Sequence, residues 1–184
     1  EVVAVFTQPD RPKGRGNKLT PSEVKIVAEK HNLLILQPEK IRKDDWAQRI
    51  RALEPDVIVV VEFGQLLSQE ILDIPKYGCI NVHASLLPKL RGGAPIHHAI
   101  IEGETKTGIT IMYMDKTMDT GDIISTSEYI IKDTDNVGTL HDVLSIMGKE
   151  LLLNTLPSII NGTNDRIKQN DEESSYAGLI NKNM

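Results

Sequence analysis

Short runs rich in valine and isoleucine, separated by helical patterns, are the feature that most limits what this chain can fold into. Residues 56–61 read DVIVVV, and residues 1–7 are similarly rich in valine with little polar alternation. Such runs are typical of strands that are buried on both faces of a parallel sheet. Shorter runs at 33–36 and 79–82 continue the series. We therefore expect a domain built on several short buried strands.

Helical signals fill the intervals between these runs. Thr20 is followed by Pro21 and then by Glu23, which is a capping box with proline at the first helical position. This signal predicts a helix that runs from there to about His31. Capped or amphipathic segments predict shorter helices over 44–53, 68–72 and 96–101.

Alternating strands and helices predict an α/β domain with a Rossmann-like, mostly parallel sheet and helices on both faces. The pattern changes after the strand at 79–82. Residues 108–114 and 122–131 are two extended runs joined by a turn-rich segment, which predicts a hairpin-like pair at one side of the sheet. A long helix with a broad apolar stripe is predicted over 137–160, and we expect Pro157 to kink or end it.

Size and composition indicate one globular domain followed by a polar segment. The chain has 184 residues, of which 40% are apolar and 26% are charged, close to the average for globular domains. We expect residues 1–163 to form this globular domain. Residues 164–184 are rich in asparagine and carry an acidic patch, so we expect a surface segment or a linker toward a further domain.

Charge and cysteine content narrow the class of protein. A formal net charge of −5 disfavours a surface that coats nucleic acid over its whole area, but it permits a local basic element. The single cysteine, Cys79, cannot form a disulfide within the chain, which is typical of a reducing compartment. We find no apolar run of bilayer-spanning length and no charged-then-apolar leader. A cytoplasmic protein away from membranes is therefore expected. We also expect a monomer.

Polar side chains at a predicted strand end are the first candidates for chemistry. Asn81 and His83 end the strand at 79–82, and their spacing of two places both on one face. Asp119 lies in the turn before the last extended run and could reach back to His83. An amide, an imidazole and a nearby carboxylate supply the oxyanion donor, the proton handler and the charge partner that acyl transfer needs.

Structural interpretations of the same residues stay open at this point. A histidine at a strand end is commonly satisfied by a hydrogen bond, and from the residues alone we weigh that role for His83 equally with catalysis. Aspartate and glycine favour turns for backbone reasons, which is an alternative for Asp119. A metal site at His97 and His98 is disfavoured, because adjacent histidines on a helix point to different sides and no usual ligand spacing appears.

A longer pattern carries a resemblance to a known family. The run NVHASLLPKLRGGAPI at 81–96, with TGIT at 107–110 and DTGD at 119–122, resembles the signature of the folate-dependent formyltransferases. The resemblance covers nearly the whole chain and implies the formyltransferase fold. Relative to that family, the chain is expected to lack the first βα unit and a C-terminal β-barrel domain. It also carries Glu62 where a small residue is expected and Glu23 where a proline is expected.

What the resemblance implies for the site is a formyl donor, 10-formyltetrahydrofolate, and no metal. Asn81, His83 and Asp119 match the family's catalytic asparagine, histidine and aspartate. The loop against which the folate binds corresponds to Ser85, Leu86, Leu87 and Pro88. Residues 62–67 are further candidates for the pterin slot by position, although a plain strand-to-helix connection would account for them equally well.

A basic segment on an otherwise acidic chain bears on the acceptor. Arg11, Lys13, Arg15 and Lys18 fall within a glycine-containing stretch without acidic residues. A solvated loop is the ordinary explanation of such a run. However, residues 7–16 (TQPDRPKGRG) resemble the tRNA-contacting insertion of those family members that formylate methionyl initiator tRNA, and arginines can pair with phosphates and stack on unpaired bases.

The resemblance of the loop therefore implies the α-amino group of methionyl initiator tRNA as acceptor, with Arg15 as the most important RNA contact. Two alternatives remain. One is formyl transfer to a small amine, such as glycinamide ribonucleotide or a nucleotide-linked amino sugar. The other is a non-catalytic RNA-binding module in which the basic loop is the function and His83 is structural.

Overall fold

A computed structural model describes residues 1–14 and 16–181, in which the chain divides into two compact units. The first unit comprises residues 1–56 and 63–76, and the second comprises residues 57–62 and the chain from 77 onward. The basic segment belongs to the first unit. The predicted catalytic residues all belong to the second.

Short strands and helices make up the described part of the first unit. They are β1 (Val5–Phe6), β2 (Arg11–Lys13), β3 (Lys18–Thr20), α1 (Glu23–Lys30), β4 (Ile35–Leu36), α2 (Trp46–Ala52) and α3 (Gln69–Leu72). β1 pairs in parallel with β4, with Val5 opposite Ile35. The helix expected over 68–72 is confirmed as α3, and Ser68 caps it, since its side chain accepts from the backbone N–H of Ile71.

The basic segment is a β-hairpin, so the loop that we predicted there is wrong. β2 and β3 pair in antiparallel register, with Pro12 opposite Leu19. The connecting turn includes Gly14 and Gly16, with φ of 73° and 102°. Glycine adopts these angles without steric cost, which lets the chain reverse within a few residues.

The capping box predicted at Thr20 is also wrong. Thr20 ends β3, pairs with Arg11, and donates its hydroxyl to the carbonyl of Lys18 at 3.0 Å. The cap is Ser22 instead, whose side-chain oxygen accepts from the backbone N–H of Lys25 at 3.2 Å. Because the hairpin uses Thr20, the helix begins two residues later than its sequence signal suggested.

An ion pair supports the base of the hairpin. Lys25 Nζ donates to both carboxylate oxygens of Asp10, at 2.9 and 2.8 Å, and the two side chains are 17% and 32% exposed. Gln37 Nε2 adds a bond to Asp10 Oδ1 at 2.9 Å and another to the carbonyl of Gln8 at 3.0 Å. The hydrogen bonds from Lys25 and then from Gln37 lower the pKa of Asp10 below its ordinary value of 3.8.

The second unit contains one four-stranded sheet in the order β5-β6-β7-β8. Its elements are β5 (Ile58–Val60), β6 (Cys79–His83), α4 (Pro95–Ile101), β7 (Lys106–Tyr113), β8 (Ile123–Ile130), α5 (Val137–Asn161) and a 3-10 turn (Asp171–Glu173). β5 runs parallel to β6, whereas β6 with β7 and β7 with β8 are antiparallel.

This arrangement confirms the α/β class and the predicted hairpin of β7 and β8, but the sheet is mixed rather than mostly parallel. Alternation of strands and helices does not by itself fix strand direction. The strand that follows α4, β7, runs antiparallel to β6. β5 is also less buried than predicted, with Val59 37% and Val61 55% exposed. Among the described residues of this unit, β5 is paired only on its β6 side.

α5 packs its apolar stripe on the sheet. Leu140, Leu144 and Ile159 are at most 2% exposed and lie in one cluster with the sheet residues Ile80 and Ile111. The helix continues through Pro157 to Asn161 and ends before Gly162, so Pro157 does not end it, and the alternative that Pro157 kinks it stays a prediction. By length and composition α5 could also cross a bilayer, which corrects the expectation that no run is long and apolar enough.

The segment after α5 lies against the second unit. Ile167 pairs with Ile123, Tyr176 bridges to Arg91, and Ala177 is fully buried. Residues 164–181 therefore add a layer of contacts beyond the predicted end of the domain at 163. That this stretch leads to a further domain stays a prediction.

The lowered pKa of Asp10 predicts how stability depends on pH. The carboxylate's stabilising contribution is complete above the unfolded pKa and is lost as pH falls through the lower folded pKa. We expect the free energy of unfolding to fall more steeply below about pH 4 in the wild type than in Asp10→Asn, which lacks the contribution at every pH. Urea denaturation followed by circular dichroism at several pH values measures this. Asp133→Asn is the control, and identical pH profiles for Asp10→Asn and the wild type would contradict the prediction.

Candidate active site

The alternation of side chains along β6 sets the direction of Asn81 and His83, two of the three residues predicted to be catalytic. Ile80 and Val82 belong to the apolar cluster that packs with α5. Successive side chains on a strand point to opposite faces, so Asn81 and His83 lie together on the other face. β6 is flanked by β5 and β7, with His83 opposite Thr110, and its backbone is therefore held on both edges.

The turn between β7 and β8 brings Asp119 to the same place. Asp119 Oδ1 lies 3.4 Å from Asn81 Nδ2, and Asp119 Oδ2 lies 3.8 Å from His83 Nδ1. The backbone N–H of Gly92 donates to Asp119 Oδ2 at 2.8 Å. The three residues predicted to be catalytic therefore form one cluster, although they lie on two different segments of the chain.

The surroundings of His83 assign separate roles to its ring nitrogens. His83 Nε2 lies 2.9 Å from the carbonyl oxygen of Leu90. A carbonyl can only accept a hydrogen bond, so Nε2 carries a proton, and Nδ1 is the nitrogen that faces Asp119. The side chains of His83 and Asp119 are only 6% and 12% exposed. Burial of this kind strengthens the electrostatic interaction between them.

The main chain around Asp119 is tightly constrained. Asp119 has φ of 57°, in the left-handed region that aspartate tolerates better than most residues. At Gly121, an added Cβ would lie 1.8 Å from the carbonyl oxygen of Tyr113, so only glycine fits. Gln169 Nε2 donates to the carbonyls of Asp119 and Gly121, at 2.9 and 2.8 Å.

Sequence reasoning did not identify Gln169 or its partner Arg91 as site residues. Arg91 Nε and Nη2 donate to Gln169 Oε1 at 3.0 and 2.8 Å, and Nη2 also bonds to Asp171 Oδ1 at 2.8 Å. Arg91 lies inside the run that carries the family resemblance, which was a usable signal. Gln169 lies fifty positions from Asp119 in a polar stretch, and no local pattern marks it.

The loop predicted to bind folate follows β6 and is ordered by internal hydrogen bonds. Ser85 Oγ donates to the carbonyl of Lys89 at 2.7 Å, and the backbone N–H of Leu87 donates to Thr110 Oγ1 at 3.1 Å. Ser85 and Leu87 are buried, whereas Leu86 and Pro88 are partly exposed. The loop is thus well formed, with two apolar side chains accessible. Its role in folate binding stays a prediction.

A cleft of about 540 Å³ opens beside the Asp119 turn, within the second unit. Charged groups of both signs line it, including Arg91, Asp115 and Arg166. Thr120 and Gly121 form part of its wall. The turn that carries Asp119 is therefore accessible from one side, although the carboxylate itself is mostly buried.

The predicted RNA-binding residues lie apart from this cluster in sequence, on the hairpin of the first unit. Arg11 pairs with Glu39 at 2.9 Å, and Lys13 pairs with Glu23 at 3.6 Å. All four side chains are more than half exposed, and Lys18 is exposed as well. Arg15, the contact predicted to matter most, lies outside the described residues.

The two adjacent histidines of α4 differ in their surroundings. His97 is exposed, while His98 is buried with Nδ1 2.8 Å from Glu102 Oε1 and Nε2 3.1 Å from the carbonyl of Gly178. Across residues 1–14 and 16–181, the structure contains no group of three or more histidine, cysteine, aspartate or glutamate side chains placed to hold a metal ion.

Solved structures share this fold. A phosphoribosylglycinamide formyltransferase from Bacillus halodurans superposes with a TM-score of 0.74 at 24% identity, over 87% of this chain and 81% of the other. A formyltransferase from Anoxybacillus kamchatkensis, solved with UDP-4,6-dideoxy-4-formamido-L-AltNAc and tetrahydrofolate, gives a TM-score of 0.68 at 23% identity, over 95% and 84% of the two chains. The architecture is therefore that of the formyltransferases.

Sequence comparison then assigns the family. Residues 1–156 match the profile described as Formyl transferase, and the chain belongs to that family. Among curated relatives, the methionyl-tRNA formyltransferase of Bacillus velezensis is 56% identical over 182 residues, which is 99% of this chain. The chain spans 57% of the length of that relative.

The contact at Gly121 predicts the effect of a single methyl group. We expect Gly121→Ala to lower the free energy of unfolding by about 1–3 kcal/mol, because the new Cβ must displace the backbone of Tyr113. The amide resonance of Gly92, which reports its bond to Asp119, should shift as well. Urea denaturation and NMR measure the two effects. Gly178→Ala is the control, since its Cβ would make only ordinary contacts, and equal behaviour of both variants would refute the prediction.

Proposed function

We propose that the protein transfers a formyl group from 10-formyltetrahydrofolate to the α-amino group of methionyl initiator tRNA. The observation that carries this proposal is the position of the Asp119 carboxylate between the Asn81 amide and the His83 imidazole, at 3.4 and 3.8 Å. An amide donor, a histidine and a carboxylate are the groups that transfer of a formyl group to an amine requires.

In the proposed reaction, the neutral amine of the acceptor attacks the formyl carbon, and the formyl oxygen becomes an oxyanion. An N–H of Asn81 and a proton on His83 Nδ1 stabilise that oxyanion. The attacking nitrogen loses one proton, which Asp119 accepts directly or through a water. The bond between N10 of the folate and the formyl carbon then breaks, N10 takes up a proton, and the products are the formylated amine and tetrahydrofolate.

The geometry of the cluster supports this division of roles. His83 Nε2 is fixed by the carbonyl of Leu90, so ring rotation is restrained and Nδ1 stays directed at Asp119. The carboxylate is anchored by Gly92 and therefore cannot turn away from His83 without losing a 2.8 Å bond. Groups held in advance of the reaction lower its barrier, because they need no reorganisation in the transition state.

A folate donor is supported by the family and by the tetrahydrofolate in the related Anoxybacillus kamchatkensis structure. The 10-formyl form supplies the carbon at the oxidation level that the product contains. We propose that the loop Ser85, Leu86, Leu87 and Pro88 binds the folate, with Leu86 and Pro88 offering apolar surface.

The acceptor is proposed from the relatives and from the hairpin. The Bacillus velezensis protein at 56% identity is a methionyl-tRNA formyltransferase. The cations Arg11 and Lys13 are held in exposed ion pairs, which contribute little to stability and can be exchanged for RNA phosphates. A small-amine acceptor would not require this basic hairpin. We further propose that the protein acts as a monomer in the cytoplasm of a bacterium, or in an organelle of bacterial origin, without entering a membrane.

The catalytic assignment predicts large losses of activity in the complete gene product. We expect His83→Ala and Asn81→Ala each to lower kcat for formyl transfer by about 100- to 1000-fold, the usual cost of removing one transition-state donor. Turnover of 10-formyltetrahydrofolate with charged initiator tRNA measures this. His97→Ala, on exposed α4 surface, is the matched control. Unchanged turnover in both variants would refute the assignment of these two residues, whereas a wild type that binds tRNA without turnover would favour an RNA-binding module.

The acceptor assignment predicts a separate effect at the hairpin. We expect Arg15→Ala, and to a smaller extent Lys18→Ala, to weaken use of charged initiator tRNA and to reduce the salt dependence of KM by about one counterion per cation removed. Lys149→Ala, an exposed cation on α5, is the control. The small-amine alternative would be favoured if Arg15→Ala left the rate of transfer to tRNA unchanged and the protein transferred formyl efficiently to a small amine.

A further inference from the structure

The segment that follows α5 reaches the turn that carries Asp119. Ile167 pairs with Ile123 in antiparallel fashion, and the two backbone hydrogen bonds between them have N to O distances of 2.8 and 2.9 Å. This pairing fixes the backbone two residues before Gln169. Gln169 is thereby placed beside the β7 to β8 turn by main-chain hydrogen bonds and not by its own side chain alone.

The orientation of the Gln169 amide follows from its partners. Arginine has only donors, so the two contacts from Arg91 at 3.0 and 2.8 Å must meet Gln169 Oε1. Nε2 then faces the two carbonyls of Asp119 and Gly121, at 2.9 and 2.8 Å, and donates to both. One amide therefore connects a buried arginine to the main chain on both sides of Thr120.

Arg91 and its neighbour hold Asp119 from two directions. The backbone N–H of Gly92 binds the Asp119 carboxylate at 2.8 Å, while the Arg91 side chain holds Gln169, which binds the Asp119 carbonyl. Arg91 is 9% exposed and is itself fixed by Asp171 and by backbone bonds to Ser175 and Ala177. The dipeptide Arg91-Gly92 therefore holds both parts of Asp119, the side chain directly and the main chain through Gln169.

Asp119 needs such support because its backbone is in the left-handed region, with φ of 57°. A residue other than glycine keeps that conformation only where its surroundings determine it. Without the two donated bonds, the turn could relax and carry the carboxylate away from Asn81 and His83. Those contacts, at 3.4 and 3.8 Å, are longer than ordinary hydrogen bonds, so a small displacement would break them.

We propose that Gln169, held by Arg91, is a positioning residue that fixes the Asp119 turn in its catalytic geometry. This inference rests on the proposed function, since it assigns Gln169 to the same site. It places part of the active-site support in the segment after α5, outside the signature that carries the family resemblance.

The sharpest test is Gln169→Glu in the complete gene product. Glutamate still accepts from Arg91, but it directs a carboxylate oxygen at the two carbonyls to which Gln169 donates. We expect kcat for formyl transfer to fall by about 10- to 100-fold, the effect of displacing a reacting group by roughly 1 Å. KM should change less than about threefold, because none of the residues proposed to bind folate or tRNA is altered. Glu172→Gln, exposed on the same segment, is the matched control and should behave as the wild type.

Two further measurements separate positioning from a general loss of structure. The amide resonance of Gly92 reports the bond to the Asp119 carboxylate and should shift in Gln169→Glu while the thermal midpoint stays within a few degrees of the wild type. If that variant does not fold, Gln169→Met, which removes the donors without adding a charge, decides the matter by the same assay. Wild-type kcat and an unshifted Gly92 resonance in a folded variant at position 169 would overturn the inference.

The same assay distinguishes failure of this inference from failure of the proposed function. If the wild type transfers formyl and Asp119→Asn is impaired while the Gln169 variants are normal, the positioning role is wrong and the function stands. If Asp119→Asn turns over as the wild type does, the assigned site is wrong, and the positioning role that depends on it is overturned too.

Discussion

The register of β6 between its two neighbours is the constraint on which the candidate site depends. Its first residues, Cys79 and Ile80, are 2% and 0% exposed, and the strand is hydrogen-bonded on both edges. A slip of one residue would turn every side chain to the opposite face, which would direct Asn81 and His83 toward α5 and Ile80 away from it. The apolar packing of the other face therefore fixes the direction of the polar residues.

The carboxylate that completes the cluster is held by a different kind of interaction. Asp119 lies on a turn, where no strand pairing specifies its position, and its geometry depends on side-chain and backbone hydrogen bonds from Gly92 and Gln169. Hydrophobic packing of the sheet therefore positions Asn81 and His83, whereas polar contacts position Asp119. Polar contacts are directional, so they can specify the carboxylate to a fraction of an ångström where packing alone would not.

Much of this arrangement could be predicted from the sequence. The strand at 79–82, the hairpin that follows it and the long amphipathic helix all have strong local patterns, and the structure confirms each. The convergence of Asn81, His83 and Asp119 was also predicted, because strand ends in α/β sheets gather polar groups and because the family resemblance named the same residues.

The errors have physical causes that local patterns do not contain. Thr20 matches the sequence pattern of a helix cap, but in the structure it is the last residue of β3 and pairs with Arg11. The antiparallel direction of β7 is seen in its pairing with β6, and the composition of β7 does not encode it. Gln169 acts over fifty positions through side-chain amide bonds, and a polar stretch with no periodicity gives no sign of them. Roles that depend on distant pairing could be seen only once the chain was folded.

The position of Gln169 after α5 has a consequence for the order in which the protein is made. A ribosome synthesises the sheet, Asp119 and the whole of α5 before it adds the residue that contacts the Asp119 main chain. The nascent chain can therefore assemble most of its hydrophobic core, apart from Ala177, while the Asp119 main chain still lacks its bond from Gln169. A boundary drawn at Gly162, where the last long helix ends, would separate most of the core from Ala177 and from the amide that binds the Asp119 main chain.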